Sequence, residues 1–216
     1  MCFISNLLTF IESLSFLSYV QIGLCAFALT TFVLSLVNAR ADNVNTPNVI
    51  VGLSFAYGGF AQMIAGVQEF VVGNTFGSTA FTSYGAFWMS YGYILVPNSG
   101  ILAAYKNSSE LENALGFYLL GWTLFTSIMF FATLKANAMM MALFGFLDVT
   151  FLLLTIGKFT ASTTVNHVGG VFGVITALIA WYVAAAQLIT PESSYVALPV
   201  FPLPKAKADH EEVMEV

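Results

Sequence analysis

Charge is what this sequence has least of. Only 8% of its 216 residues are charged, six Lys or Arg against eleven Asp or Glu, while 58% are apolar. A soluble average is roughly 25% charged and 45–50% apolar. So few charges cannot cover the surface of a soluble globule this size, which excludes a soluble enzyme and a disordered chain. The basic residues form no stripe able to neutralise phosphates, so nucleic acid is not a partner. Cysteine is nearly missing too. Cys2 and Cys25 have no CxxC spacing and no nearby His, so neither a disulfide framework nor a metal site is expected. Histidine is limited to His210 near the end of the chain and His167, which reads as an interfacial residue at the mouth of the last apolar run. GxSxG, HExxH and P-loop patterns are absent, so the sequence predicts no enzyme and no cofactor.

What the chain has instead is uninterrupted apolar length. Between Ser13 and Tyr105 the charged residues are Arg40, Asp42 and Glu69; between Asn113 and Thr190 they are Lys135, Asp148 and Lys158. The runs between these marks reach the ~20 residues that a helix needs to cross a hydrocarbon core. The pattern predicts an all-α integral membrane protein, a six-helix bundle with spans at 20–37, 49–68, 78–96, 114–134, 138–156 and 168–189. Helix is required because each span must satisfy its own backbone in lipid, and the runs lack the ten-residue alternation of a barrel. Residues 1–17 recur at helical spacing (Phe3, Leu7, Phe10, Leu14, Leu17) and read as a separate amphipathic segment at the membrane interface. Residues 18–190 form the membrane domain, and residues 191–216 a Pro-rich, acidic tail expected to be disordered. Six spans put both termini on one side, but Lys135, Lys205 and Lys207 balance Arg40, Lys106 and Lys158, so charge alone does not orient the chain.

Small residues at Gly58-Gly59, Ala61/Ala65, Gly73/Gly77 and Gly169/Gly173 predict close helix packing. Leu29-Thr-Thr31 and Phe125-Thr-Ser127 are faintly alike on oppositely directed helices, which points to a 3+3 inverted repeat.

Two ionisable residues stand out. Asp148 lies inside a span, where it must either line a watery route and titrate, or be held by Thr150, Thr155 or a neighbouring helix. Glu69 ends the second span and reads first as a solvated charge at headgroup level, with a role in ordering the Asn74-Thr75 turn as the alternative. Both are candidates for proton coupling. Thr30, Thr31, Gln62, Thr79, Thr82, Ser83 and Tyr84 supply neutral hydrogen-bonding groups within spans. Interhelical bonding explains most of them; a passage for a small anion or neutral acid would use a subset.

The stretch Gly73-Asn-Thr-Phe-Gly-Ser-Thr-Ala-Phe-Thr-Ser-Tyr-Gly-Ala-Phe-Trp88 closely resembles the core motif of the acetate uptake transporter family, which includes bacterial succinate–acetate permeases and fungal acetate permeases. Gly23-Leu-Cys-Ala-Phe-Ala-Leu-Thr-Thr31, Tyr57-Gly-Gly-Phe-Ala-Gln62, Ala65-Gly66 and Phe130-Phe-Ala-Thr-Leu-Lys135 extend the resemblance over about 22–189. It implies a homohexamer in the plasma membrane, termini in the cytoplasm, each protomer with its own route for acetate and related short monocarboxylates. The resemblance places the narrowest point at Phe27, Tyr84 and Leu147. Thr30, Thr31, Gln62, Asn74, Thr75 and Thr79 are then candidates for the route, and Ala180 falls where the family has a small residue bearing on selectivity. Ammonia or ammonium export and a non-transporting scaffold or sensor are the alternatives. One departure is clear: where members begin the first helix with Asn-Pro-Ala-Pro-Leu-Gly-Leu, this chain reads Ser18-Tyr-Val-Gln-Ile-Gly-Leu24.

Overall fold

Apolar runs separated by short polar turns can satisfy their backbones only as helices, and helices are what form. A computed structural model describes residues 19–191, 193–199 and 201. The amphipathic segment expected at the N-terminus and the acidic end of the tail lie outside these residues. The long elements are α1 (Val20–Asn38), α2 (Pro47–Val71), α3 (Thr75–Leu95), α4 (Ser108–Thr133), α5 (Ala138–Phe159) and α6 (Thr163–Leu188). No strand occurs among the described residues. Five of the six, all but α3, are long and apolar enough to cross a membrane. Helix α3 has no charged residue over its 21, but its Ser, Thr, Tyr and Gly make it less apolar. The protein is an integral membrane protein.

Helix boundaries follow local chemistry. Asn74, Asn107, Asn137 and Ser162 each accept a hydrogen bond from a backbone N–H of the first turn they precede, capping α3, α4, α5 and α6. Gly73 takes a left-handed φ of 80° at the α2–α3 turn, so it is a turn residue and not the packing contact that its spacing from Gly77 predicts. Helix α4 starts six residues before the expected 114, because Glu110 and Glu112 belong to its first turns and not to the preceding loop.

Helix α2 is not uniform. It passes from Ile50–Phe55 through a π-helical turn at Ala56–Ala61 into Gln62–Val71. Buried Ile50, Ser54, Gly58 and Gln62 recur every four residues. In a regular α-helix such steps drift by about 40° each, and the wider turn takes up that drift, keeping Gln62 on the inward face.

Packing is closest between α1 and α6, α4 and α5, α5 and α6, and α2 and α3. A Cβ on Gly66 would come within 2.6 Å of the Thr82 backbone nitrogen, and one on Gly58 within 2.8 Å of Thr30 Cβ, so these glycines set the α2–α3 and α1–α2 spacing. Helix α3 instead meets α4 and α5 through rings: Tyr84 against Phe125, Phe144 and Phe151, and Phe87 against Trp122 and Phe151. On the outside, Phe60, Phe117, Leu124, Ile128, Phe131 and Leu178 are exposed, the apolar surface that a bilayer would cover. The described part of the tail folds back on the helices, with Tyr182 donating to the Pro199 carbonyl at 2.7 Å and the Ala138 N–H to the Phe201 carbonyl at 3.0 Å.

Candidate functional site

Two cavities lie end to end along α1, α3 and α5. The smaller, about 70 Å³, is bounded by the N-terminal halves of these helices (Val20, Leu24 and Phe27; Asn74 to Tyr84; Met140 to Leu147) together with Gln62 of α2. The larger, about 620 Å³, is bounded by their C-terminal halves (Leu34 to Asn38; Phe87 to Leu95; Phe151 to Lys158) and by the first turns of α4 and α6. Along α3 and α5 roughly one helical turn separates them. That turn is filled with rings: Phe27 and Tyr84 have centroids 5.9 Å apart, Tyr84 stacks on Phe151 at 6.5 Å, and Phe151 meets Phe87 edge-on at 5.3 Å.

Phe27, Tyr84 and Leu147, expected at the narrowest point, all border the smaller cavity. They come from three helices and are nearly inaccessible, at 6%, 3% and 4% exposure. Tyr84 is fixed by its hydroxyl, which lies 2.9 Å from Thr126 Oγ1 of α4. Gln62 and Asn74 also border this cavity. The other candidates do not: Thr30 donates to its own helix at Ala26, Thr31 is buried with no partner for its hydroxyl, Thr75 and Thr79 are surface residues, and Ala180 is fully buried in α6.

Among the described residues, no charged side chain borders the smaller cavity. Its polar groups differ sharply in how they are engaged. Asn74 donates through Nδ2 to Glu69 at 2.6 Å and accepts the Gly77 N–H at 3.0 Å. Tyr84 is paired with Thr126. Gln62 is completely buried, and neither its Oε1 nor its Nε2 has a partner among the described residues. A buried, unsatisfied amide facing a cavity is an open hydrogen-bonding site.

Of the two ionisable candidates, Glu69 is placed differently from the first reading of the sequence, and Asp148 is held by a neighbouring helix, one of its two expected placements. Glu69 is not a solvated headgroup-level charge: it is 1% exposed. Its Oε1 accepts the Tyr19 N–H at 2.9 Å and its Oε2 the Asn74 amide, so it ties the start of α1 to the start of α3. The physical reason is that the α2–α3 turn and the start of α1 each bring one N–H donor to the carboxylate, which replaces its lost hydration. Asp148 is half-buried and held by Ser127 of α4, whose hydroxyl donates to Oδ1 at 2.9 Å and lies 3.1 Å from Oδ2. It borders neither cavity.

Several contributors were not singled out from sequence. Among the described residues, charge on the cavity walls is confined to the larger one: Arg40, and Lys158 paired with Glu112 at 2.9 Å. Thr126 and Ser127, noted only as a trace of a repeat, are the partners of Tyr84 and Asp148. A mid-helix Phe-Thr-Ser in an apolar run is the signal that marks them.

This arrangement has known counterparts. The chain is 54% identical over 184 residues to "Ammonia transport outward protein 2" of Saccharomyces cerevisiae, covering 85% of this chain and 65% of that one. It is 39% identical over 205 residues to "Acetate permease A" of Emericella nidulans, covering 90% and 69%. It thus spans about two thirds of the length of these curated relatives. Its fold matches the solved structure of the bacterial acetate channel SatP with a TM-score of 0.76 at 34% identity, over 85% of this chain and 98% of that one. Residues 11–205 match the GPR1/FUN34/yaaH family, and the chain belongs to that family.

Proposed function

We propose that this protein passes acetate and related short monocarboxylic acids across the membrane, one route per protomer, through the two aligned cavities. The observation that carries the reading is that Phe27, Tyr84 and Leu147 converge on one small uncharged cavity beneath a much larger one. Such walls fit a methyl group and oppose bulkier or more strongly hydrated solutes by a desolvation barrier. Similarity to proteins named for acetate permeation supports it.

In this reading α3 is a sixth span, the Thr30 and Thr126 regions mark a 3+3 inverted repeat, and the protomers form a homohexamer in the plasma membrane with cytoplasmic termini. Thr30, Thr31, Thr75, Thr79 and Ala180 act behind the walls or at the mouth. A proton carried by the protein would fall to Asp148 or Glu69. Unchanged pH dependence in Asp148→Asn removes Asp148 from that role.

The test is labelled-acetate flux into proteoliposomes. Phe27→Ala and Leu147→Ala should admit larger acids relative to acetate; unchanged selectivity in both refutes the constriction. A second reading, ammonia export, is favoured by the name of the 54% identical relative. Ammonium flux without acetate flux would establish it, and a scaffold or sensor would show neither.

A further inference from the structure

The smaller cavity constrains the form in which its solute travels. Among the described residues its walls carry no cation to balance a carboxylate, and of their three polar side chains Asn74 and Tyr84 are already bonded within the protein. Only Gln62 remains, fully buried, with its acceptor and its donor both open. An amide presents one C=O and one N–H₂ side by side. An undissociated carboxylic acid presents the complementary O–H and C=O, so the two close a pair of parallel hydrogen bonds. A carboxylate has only acceptors: it can use Nε2 but sets its second oxygen against Oε1, and it enters a space of low dielectric with no countercharge. An ion in such a place neutralises.

We infer that Gln62 is the recognition group of the smaller cavity and that it selects the uncharged acid over its anion. The proton then crosses on the solute, and no protein side chain needs to titrate during transport. The ionisable groups on the surrounding helices fit this. Glu69 of α2 is held by Tyr19 and Asn74, Asp148 of α5 by Ser127, and Tyr84 of α3 by Thr126. Cys25 of α1 and Tyr57 of α2 do not border the cavity, and the cations Arg40 and Lys158 border only the larger one.

The inference rests on the monocarboxylate reading, and the test separates the two. Purified protein in proteoliposomes is assayed for labelled acetate and for labelled acetamide, the uncharged isostere that carries the same donor and acceptor. Acetate current is recorded in planar bilayers, and protein-free membranes are subtracted throughout. The expected results are protein-dependent acetamide flux, no acetate current, and acetate flux that falls about tenfold per pH unit above the acid's own titration. Gln62→Leu should reduce both fluxes at least about tenfold while leaving the melting temperature unchanged or higher, because it replaces an unsatisfied buried amide by an apolar side chain of similar size. Acetate current with acetamide excluded would show that the anion passes and overturn the inference, leaving the monocarboxylate reading intact. Unchanged fluxes in Gln62→Leu would remove Gln62 from the role. No acetate flux in the wild type would overturn the underlying reading itself.

Discussion

Exchanging the Glu69–Asn74 pair tests how the mouth of the smaller cavity is held. Glu69 is 1% exposed and accepts hydrogen bonds from Tyr19 N–H at 2.9 Å and Asn74 Nδ2 at 2.6 Å. Glu69→Gln preserves shape but replaces one acceptor oxygen with a donor. With its oxygen toward Tyr19, its amino group faces the Asn74 amino group, donor against donor. Hydrogen bonds to a charged group contribute about 1.5–3 kcal/mol, so losing one and weakening the other should cost about 2–4 kcal/mol. For a chain of this size that lowers the melting temperature by about 5–10 °C. Asn74→Asp alone should destabilise at least as much, since it brings two carboxylates into contact. Together the changes should recover most of the loss: the amide donates to the new carboxylate, which still accepts the Gly77 N–H as the α3 cap. Thermal unfolding of detergent-purified protein, followed by tryptophan fluorescence, measures all four forms. A Glu69→Gln protein melting within about 1 °C of wild type, or a double variant showing the sum of the single losses, would refute the reasoning.

Three further outcomes are expected. Thr126→Val leaves the buried Tyr84 hydroxyl without its partner and should cost about 0.6–1.7 kcal/mol, read as a lower melting temperature that Tyr84→Phe in the same background largely restores. Gly66→Ala places a Cβ 2.6 Å from the Thr82 backbone nitrogen and should sharply reduce the yield of folded protein on size-exclusion chromatography, whereas Gly121→Ala, with open space around it, should not. Lys158→Gln breaks a partly exposed ion pair with Glu112, with side chains 27% and 33% exposed, and should change stability by less than about 1 kcal/mol in a thermal melt.

The helical architecture was legible because in lipid the apolar run and the helix are nearly the same object. Asn74, read as a turn residue, proved to be a cap, which fits the ordinary chemistry of Asn at a helix start. Charge was the misleading cue. Glu110 and Glu112 fall before the span expected from 114, yet a helix accommodates acidic residues in its first turns, where they complement its dipole, and α4 begins before them. Glu69 signalled solvent for the same reason, since no local pattern shows that Tyr19, fifty positions earlier, supplies an N–H to it. The π-turn at Ala56–Ala61 was invisible, because Gly58-Gly59 reads equally well as a packing pair. The convergence of Phe27, Tyr84 and Leu147 came from family resemblance; their spacing along the chain carries no sign of it. Gln62 stood among seven polar residues in spans, and its place on the cavity wall without a partner sets it apart.

The inequality of the two cavities gives the protomer a front and a back. On the proposed route, a molecule the size of a dipeptide arriving from the face bearing Lys158 would lodge in the roughly 620 Å³ basin and stop passage like a cork. From the opposite face, the roughly 70 Å³ thimble offers nothing of that bulk a seat. An inhibitor of that proposed route therefore has to be shaped for the side from which it arrives.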